Sequence, residues 1–309
     1  MRPVDTLDIV RRTGGRSIIP KFILVSEGYR TEVRYFEGLA NNKRRAKISS
    51  LIQIYPLNRL AVHSGCSDPL CLLDLLDEYV DYSRTKKFSK NLFVSMFIEH
   101  AWDYLSEISF QHLDLIKAKM IKKLSKKYQG DIVDYKIATQ ICNDILEKES
   151  ITISSDFVPP LPMDYDPDVD KIYVIIDRDR DARDTSKCKE FTGRCKKRRY
   201  IPILTNPCFE FWLLLHFEDI IHVNKKELTV NEKIDGKRFT ERKLDEILKR
   251  FDLNGYSKTS FDTRWFIDRI DEAMYNEKMF CYEEKCIMSN IGSNVGSLIQ
   301  EMRAPQIRK

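Results

Sequence analysis

Three aspartates alternate with arginines where an apolar run ends: Asp177, Asp179 and Asp181 follow Lys171 to Ile176 in KIYVIIDRDRDARD. On an extended chain, residues two apart face the same side, so Asp177 and Asp179 point together while Arg178 points away. Crowded carboxylates stay ionised only when a cation balances them. An all-oxygen donor set suits a hard divalent ion, Mg2+ or Mn2+ in its place. Such ions activate water and stabilise charge on a phosphodiester. A calcium loop fits poorly, because the sixth and twelfth positions from Asp177 are Ala182 and Cys188, where an EF-hand needs glycine and glutamate. Helix capping or a surface salt-bridge ladder would give the same spacing, and on spacing alone these readings stay open.

Other candidates stand at the ends of other apolar runs. KFILVSEG closes on Glu27 and Gly28, a strand running into a turn. YIPILT leads into NPCFEFWLLLHFEDI, where Asn206 is a suitable helix cap and Pro207 fits the first helical position. Glu210 lies one turn beyond that cap. His216 is six residues further, about 120° away around a helix, and its neighbours FWLLLHF suggest a packed, hydrogen-bonded histidine. Lys258 in GYSKTS could neutralise a phosphate or a transition state, or be an exposed loop lysine.

These residues need a scaffold that brings them together. Strand-like and helix-like segments alternate, which argues for an α/β fold with a mostly parallel sheet flanked by helices. Ligands of such sheets collect beyond the carboxyl ends of the strands, so Glu27, Asp177, Asp179 and Glu210 converge if their strands are neighbours. TEVRYFEGLA reads as a helix, ISSLIQIYPL as a strand, and Asp68 before Pro69 as a helix start. The stretch from residue 92 to 151 is mostly helical, and DFVPPLPMDYDPDVD, with four prolines, closes it. The expected division is 1–91 as the first part of the α/β domain, 92–165 as a helical insertion or small subdomain, and 166–309 as its second part with a helical extension.

Bulk composition narrows the class. The chain has 309 residues, of which 42% are hydrophobic and 32% charged, with a net charge of +5. No run approaches the length of a membrane span, and the N-terminus does not read as a signal peptide. A cytoplasmic location with reduced thiols is the simplest expectation for the eight cysteines. The Cys188/Cys195 and Cys281/Cys286 gaps are too wide for a zinc knuckle, and no P-loop is present. Ala182 to Tyr200 carries eight Lys or Arg against two acids, either a solvated helix face or a track for a phosphate backbone.

A strand ending in Glu-Gly, followed much later by one ending in Asp-x-Asp, resembles the Toprim domain of topoisomerases, primases and phage-defence nucleases. More specifically, the chain resembles the RloB-like family associated with restriction and abortive-infection loci. Ile23 to Leu39, Ile172 to Asp181 and Thr205 to Glu218 carry that likeness, with a looser continuation through GYSKTS and SNIGSNVGSLIQEM. It covers about residues 17–60 and 168–302; the helical middle inherits little. The resemblance implies a Toprim-like fold and a metal-dependent endonuclease acting on DNA or structured RNA, such as tRNA, in antiviral defence. It assigns Glu27 as metal ligand or general acid/base, Asp177 and Asp179 as Mg2+ ligands, and Asp181 as an outer ligand; Glu32, in the RTE continuation, is either a supporting acid near the site or a helical surface acid. A non-catalytic nucleic-acid- or partner-binding module on the same scaffold is the alternative, and a small-phosphate enzyme is a third. A homodimer or a partner defence protein would use the helical middle; no membrane partner is expected. A topoisomerase would need a tyrosine nucleophile, for which the fourteen tyrosines offer no distinguishing context.

Overall fold

A computed structural model describes residues 19–28, 30–57, 68–85, 88–105, 108–151, 165–178 and 185–305. The chain begins with β1 (Lys21–Ser26), α1 (Thr31–Asn41), β2 (Gln53–Leu57) and α2 (Pro69–Thr85). There follow β3 (Phe88–Ser89), α3 (Lys90–His100), α4 (Trp102–Leu105), α5 (Phe110–Lys127), β4 (Ile132–Val133) and α6 (Tyr135–Lys148). The second half holds β5 (Lys171–Asp177), α7 (Thr185–Arg198), β6 (Ile201–Asn206), α8 (Phe209–Leu214), α9 (Lys225–Val230), β7 (Lys233–Ile234) and β8 (Lys237–Arg238). It ends with α10 (Phe239–Arg250), α11 (Thr263–Asp268), α12 (Ile270–Glu277), α13 (Glu284–Ile287), β9 (Gly292–Ser293) and α14 (Val295–Arg303). The described residues fall into two compact units, 19–57 with 167–305, and 68–166.

The first unit is built on a five-stranded sheet in the order β2-β1-β5-β6-β9. The first four strands are parallel, and β9 pairs antiparallel with β6. Both faces of the central strands are covered, which is why they read as continuous apolar runs rather than alternating ones. Phe22, Leu24, Tyr173, Ile175 and Ile203 share one hydrophobic core with side chains of α1, α8, α10, α11, α12 and α14. The interleaved Ile23, Val25, Ile172, Val174, Ile176 and Leu204 are buried too. This is an α/β fold with a mostly parallel sheet flanked by helices, a Toprim-like arrangement.

In the second unit α3, α5 and α6 enclose a core of their own. Leu113, Ile116, Met120 and Leu124 form its stripe on α5, at the spacing of one helical face. Ser109 caps α5 by accepting from the His112 N–H at 3.3 Å, and Asp134 caps α6 through Ile137 at 3.0 Å. The middle region is helical as its sequence suggests, with a two-stranded β3–β4 pair added. This unit also takes in α2, which the sequence reading placed in the α/β part; Asp68 starts that helix, accepting from the Leu70 N–H at 3.0 Å.

Two readings need correction. Asn206 does not cap a helix: it ends β6, and α8 starts at Phe209 with Cys208 in the cap position. The Asn206 amide instead donates to the carbonyls of Ile287 and Asn290, both at 2.7 Å, so tertiary contacts outweigh the local capping preference. The cysteines are not all reduced, since Cys281 and Cys286 are joined in a disulfide and Cys71 is also disulfide-bonded. The basic segment lies largely on α7. Tyr173 stands opposite Ile201, and Asp177 opposite Thr205, so α7 must carry the chain back along the full strand length. Its last turn, Lys196 to Arg198, therefore arrives at the amino edge, about 20 Å along the helix from its start.

Candidate functional site

Parallel pairing brings the candidate acids to one edge. The Glu27 N–H donates to the Ile175 carbonyl at 2.9 Å, extending the β1–β5 ladder one residue past the strand. Glu27 therefore sits beside the carboxyl end of β5, where Asp177 stands. Thr205, fully buried on β6, donates its hydroxyl proton to Asp177 Oδ1 at 2.6 Å and fixes that carboxylate. Arg178 turns the other way, as the alternation of an extended chain requires: its Nε donates to the Met288 carbonyl at 2.9 Å. Asp179 and Asp181 lie outside the described residues.

Two helices add the remaining acids. Every residue of α8 is buried, and Glu210 is the charged group among them. Burying an unpaired charge is costly, so its contacts matter. Tyr256 donates to Glu210 Oε1 at 2.7 Å, Thr31 donates to the same oxygen at 3.3 Å, and the Lys258 ammonium lies 3.8 Å from it. Lys258 also pairs with Glu241 at 3.0 Å. Burial alone pulls the Lys258 ammonium down, but Glu210 and Glu241 outweigh it and hold the group above its usual value.

Glu32, in the first turn of α1, is buried with them. Burial first, then Glu210 and Glu27, push its carboxyl up to about 8, with Lys258 opposing. Asp177 is raised well above the usual carboxylate range by burial, then by Glu32, Glu210 and Glu27. Glu27, Glu32, Asp177 and Glu210 thus form one mutually repelling set drawn from β1, α1, β5 and α8. The glycine after Glu27 makes room for it, because a Cβ on Gly28 would collide with the Glu32 carboxylate. Gly28→Ala is expected to leave the fold intact, since the clashing atoms end a flexible side chain, and to expel Glu32 from the set. Carbon-13 NMR titration should then show the Glu32 resonance returning toward the ordinary carboxylate range.

His216 does not join this set. Its Nδ1 faces the Trp212 and Leu213 carbonyls at 3.0 and 3.2 Å, so Nδ1 carries the proton and Nε2 accepts from the Tyr35 hydroxyl at 3.4 Å. Burial lowers its pKa to about 3 and keeps it neutral. Asn206 is likewise committed to the loop it holds. Thr31, Thr205 and Tyr256 are contributors that the sequence reading did not select; Tyr256 lies in the GYSKTS segment already noted for Lys258, and only tertiary packing shows its hydroxyl on Glu210.

The donor set is made of carboxylate oxygens, the donor type a hard divalent cation takes, and the groups lie close enough to repel one another. Among the described residues no three of His, Cys, Asp and Glu already stand in metal-holding geometry. No helix of the described residues is long and apolar enough to cross a membrane.

The fold and this edge define a Toprim-like α/β domain with a carboxylate set at the carboxyl ends of its strands. The chain matches the model of the RloB-like protein family over residues 22–302 and belongs to that family. Family membership points to a Toprim-related role in phage defence. No curated protein and no solved structure matches the chain.

Proposed function

We propose that this protein is a Mg2+-dependent nuclease of antiviral abortive infection, hydrolysing phosphodiester bonds in DNA or structured RNA. The observation that supports it most is the convergence of Glu27, Glu32, Asp177 and Glu210 from four elements, in a chain of this family. Glu27 and Asp177 would hold Mg2+, or Mn2+ in its place, with Glu210, Asp179 and Asp181 as further donors; when bound, the ion supplies Lewis-acid polarisation of the phosphate and an activated water. Thr205 keeps Asp177 oriented. Glu32 retains its proton near neutral pH in the metal-free protein and so spares the site a further negative charge. Lys258, partly exposed beside Glu210, offers positive charge to a substrate phosphate.

The test is cleavage of a panel of duplex DNA, single-stranded DNA and structured RNA, with Mg2+ and with a chelator. Cleavage is expected only with metal, and Glu27→Ala is expected to lose about 1,000-fold in rate, several kcal/mol of transition-state stabilisation. Metal-independent cleavage, or an unaffected Glu27→Ala variant, would overturn the reading. Binding without cleavage across the panel would favour a non-catalytic nucleic-acid-binding module on the same scaffold.

A further inference from the structure

The GYSKTS segment does more than present Lys258. Ser257 and Ser260 close a tight turn through paired backbone hydrogen bonds of 3.2 and 2.9 Å, with Lys258 and Thr259 at its tip. The base of the turn is tied to α10, where Asp245 Oδ1 accepts from the Tyr256 N–H at 2.8 Å. Gly255 allows that approach, since a Cβ there would strike the same Asp245 oxygen. Asp245 is itself paired with Lys249 at 2.8 Å and Lys237 at 3.8 Å. The Tyr256 ring packs against Phe261 at 5.8 Å, and the residue is buried. Backbone, ring and hydroxyl are thus each held by a separate contact.

The hydroxyl ends on Glu210 Oε1 at 2.7 Å and lies 2.9 Å from Thr31 Oγ1, which is 3.3 Å from the same carboxylate oxygen. Thr31 opens α1 and precedes Glu32 in the chain, so the hydroxyl pair links α1, α8 and the turn. Hydrogen bonds that converge on one oxygen fix the plane of the carboxylate. A carboxylate fixed in this way binds a cation without first losing its rotamer freedom.

We infer that Tyr256, with Thr31, is a positioning residue that pre-orients the Glu210 carboxylate for a divalent cation. This rests on the metal-dependent reading of the site. Neither hydroxyl is assigned a role on the substrate; both act through Glu210.

Calorimetric titration of the full chain with Mn2+ tests it. Tyr256→Phe keeps the ring in its packing and removes only the hydroxyl. Its Mn2+ affinity is expected to fall about 10- to 100-fold, the usual consequence of losing an outer-shell partner of a ligating group. Thr31→Val should weaken binding in the same direction, whereas Thr31→Ser, which retains the hydroxyl, should restore wild-type affinity. A merely structural role for Thr31 would not separate valine from serine in that way. Melting temperatures in chelator identify any variant whose fold is lost, and the other position then decides the result. Wild-type Mn2+ affinity in both Tyr256→Phe and Thr31→Val overturns the inference. A wild-type protein that binds no Mn2+ overturns it together with the metal-dependent reading. If the wild-type protein binds Mn2+ but cleaves nothing, the nuclease reading fails, and the variant affinities still decide the role of Tyr256.

Discussion

Asp177→Asn is expected to inactivate the protein while raising the melting temperature of its metal-free form. Asp177 ends a buried strand, and burial together with Glu32, Glu210 and Glu27 raises its carboxyl well above the ordinary range. A carboxyl whose folded pKa exceeds its unfolded value binds its proton more tightly in the folded state. Ionising it therefore costs folding stability as pH rises through that window. Asparagine is nearly isosteric, has no charge to ionise, and keeps an Oδ1 acceptor for the Thr205 hydroxyl. Each kcal/mol relieved should lift the melting temperature by about 2–4 °C in a chain of this size class. Cleavage should fall about 1,000-fold, since a donor that stabilises charge in the transition state is gone. Scanning calorimetry in chelator and cleavage rates in Mg2+ read the two effects separately. A destabilised variant that still cleaves at the wild-type rate would remove Asp177 from the site.

The strands were legible because burial on both faces leaves an unmistakable mark. KFILVS and KIYVIID are apolar throughout, and each ends abruptly in acid at the edge where a sheet of this kind holds its ligands. Their adjacency was not legible, because pairing β1 with β5 joins residues about 150 positions apart through backbone groups that carry no sequence signature. Asn206 shows the opposite failure. Asn-Pro before an apolar run is a sound local cap, but two carbonyls from residues 287 and 290 claim the side chain instead. His216 could be separated from Glu210 by helical geometry, and its aromatic neighbours indicated a packed ring. Tyr256 could not be picked from fourteen tyrosines, because its importance lies in a contact with an acid 46 residues away.

The metal-free protein is expected to lose stability as pH rises from about 5 to about 8, and saturating Mg2+ is expected to oppose that loss. Two buried carboxyls, Glu277 and Glu32, set the window. Glu277 accepts from the Gly296 N–H at 3.0 Å, yet burial outweighs that bond and raises it from 4.5 to about 7. Glu32 rises from 4.5 to about 8 within the carboxylate set. Between the unfolded and folded values the folded chain retains a proton that the unfolded chain has released. Stability then falls by about 1.4 kcal/mol per pH unit for each such carboxyl. Glu277→Gln should flatten the lower part of the slope, to about pH 7, and leave the response to Mg2+ unchanged. Glu32→Gln should lower the slope across the whole window, leave little of it between pH 7 and 8, and weaken that response, because the set loses one of its charges. Mg2+ at 100 times its dissociation constant adds about 2.7 kcal/mol, and its effect should grow with pH as the carboxylates ionise. Urea unfolding at half-unit pH intervals, with Mg2+ and with chelator, separates the two residues. Stability that climbs across this window without metal would mean that the carboxylates are paired by internal cations, and the site would then have no vacancy in charge for a divalent ion to fill.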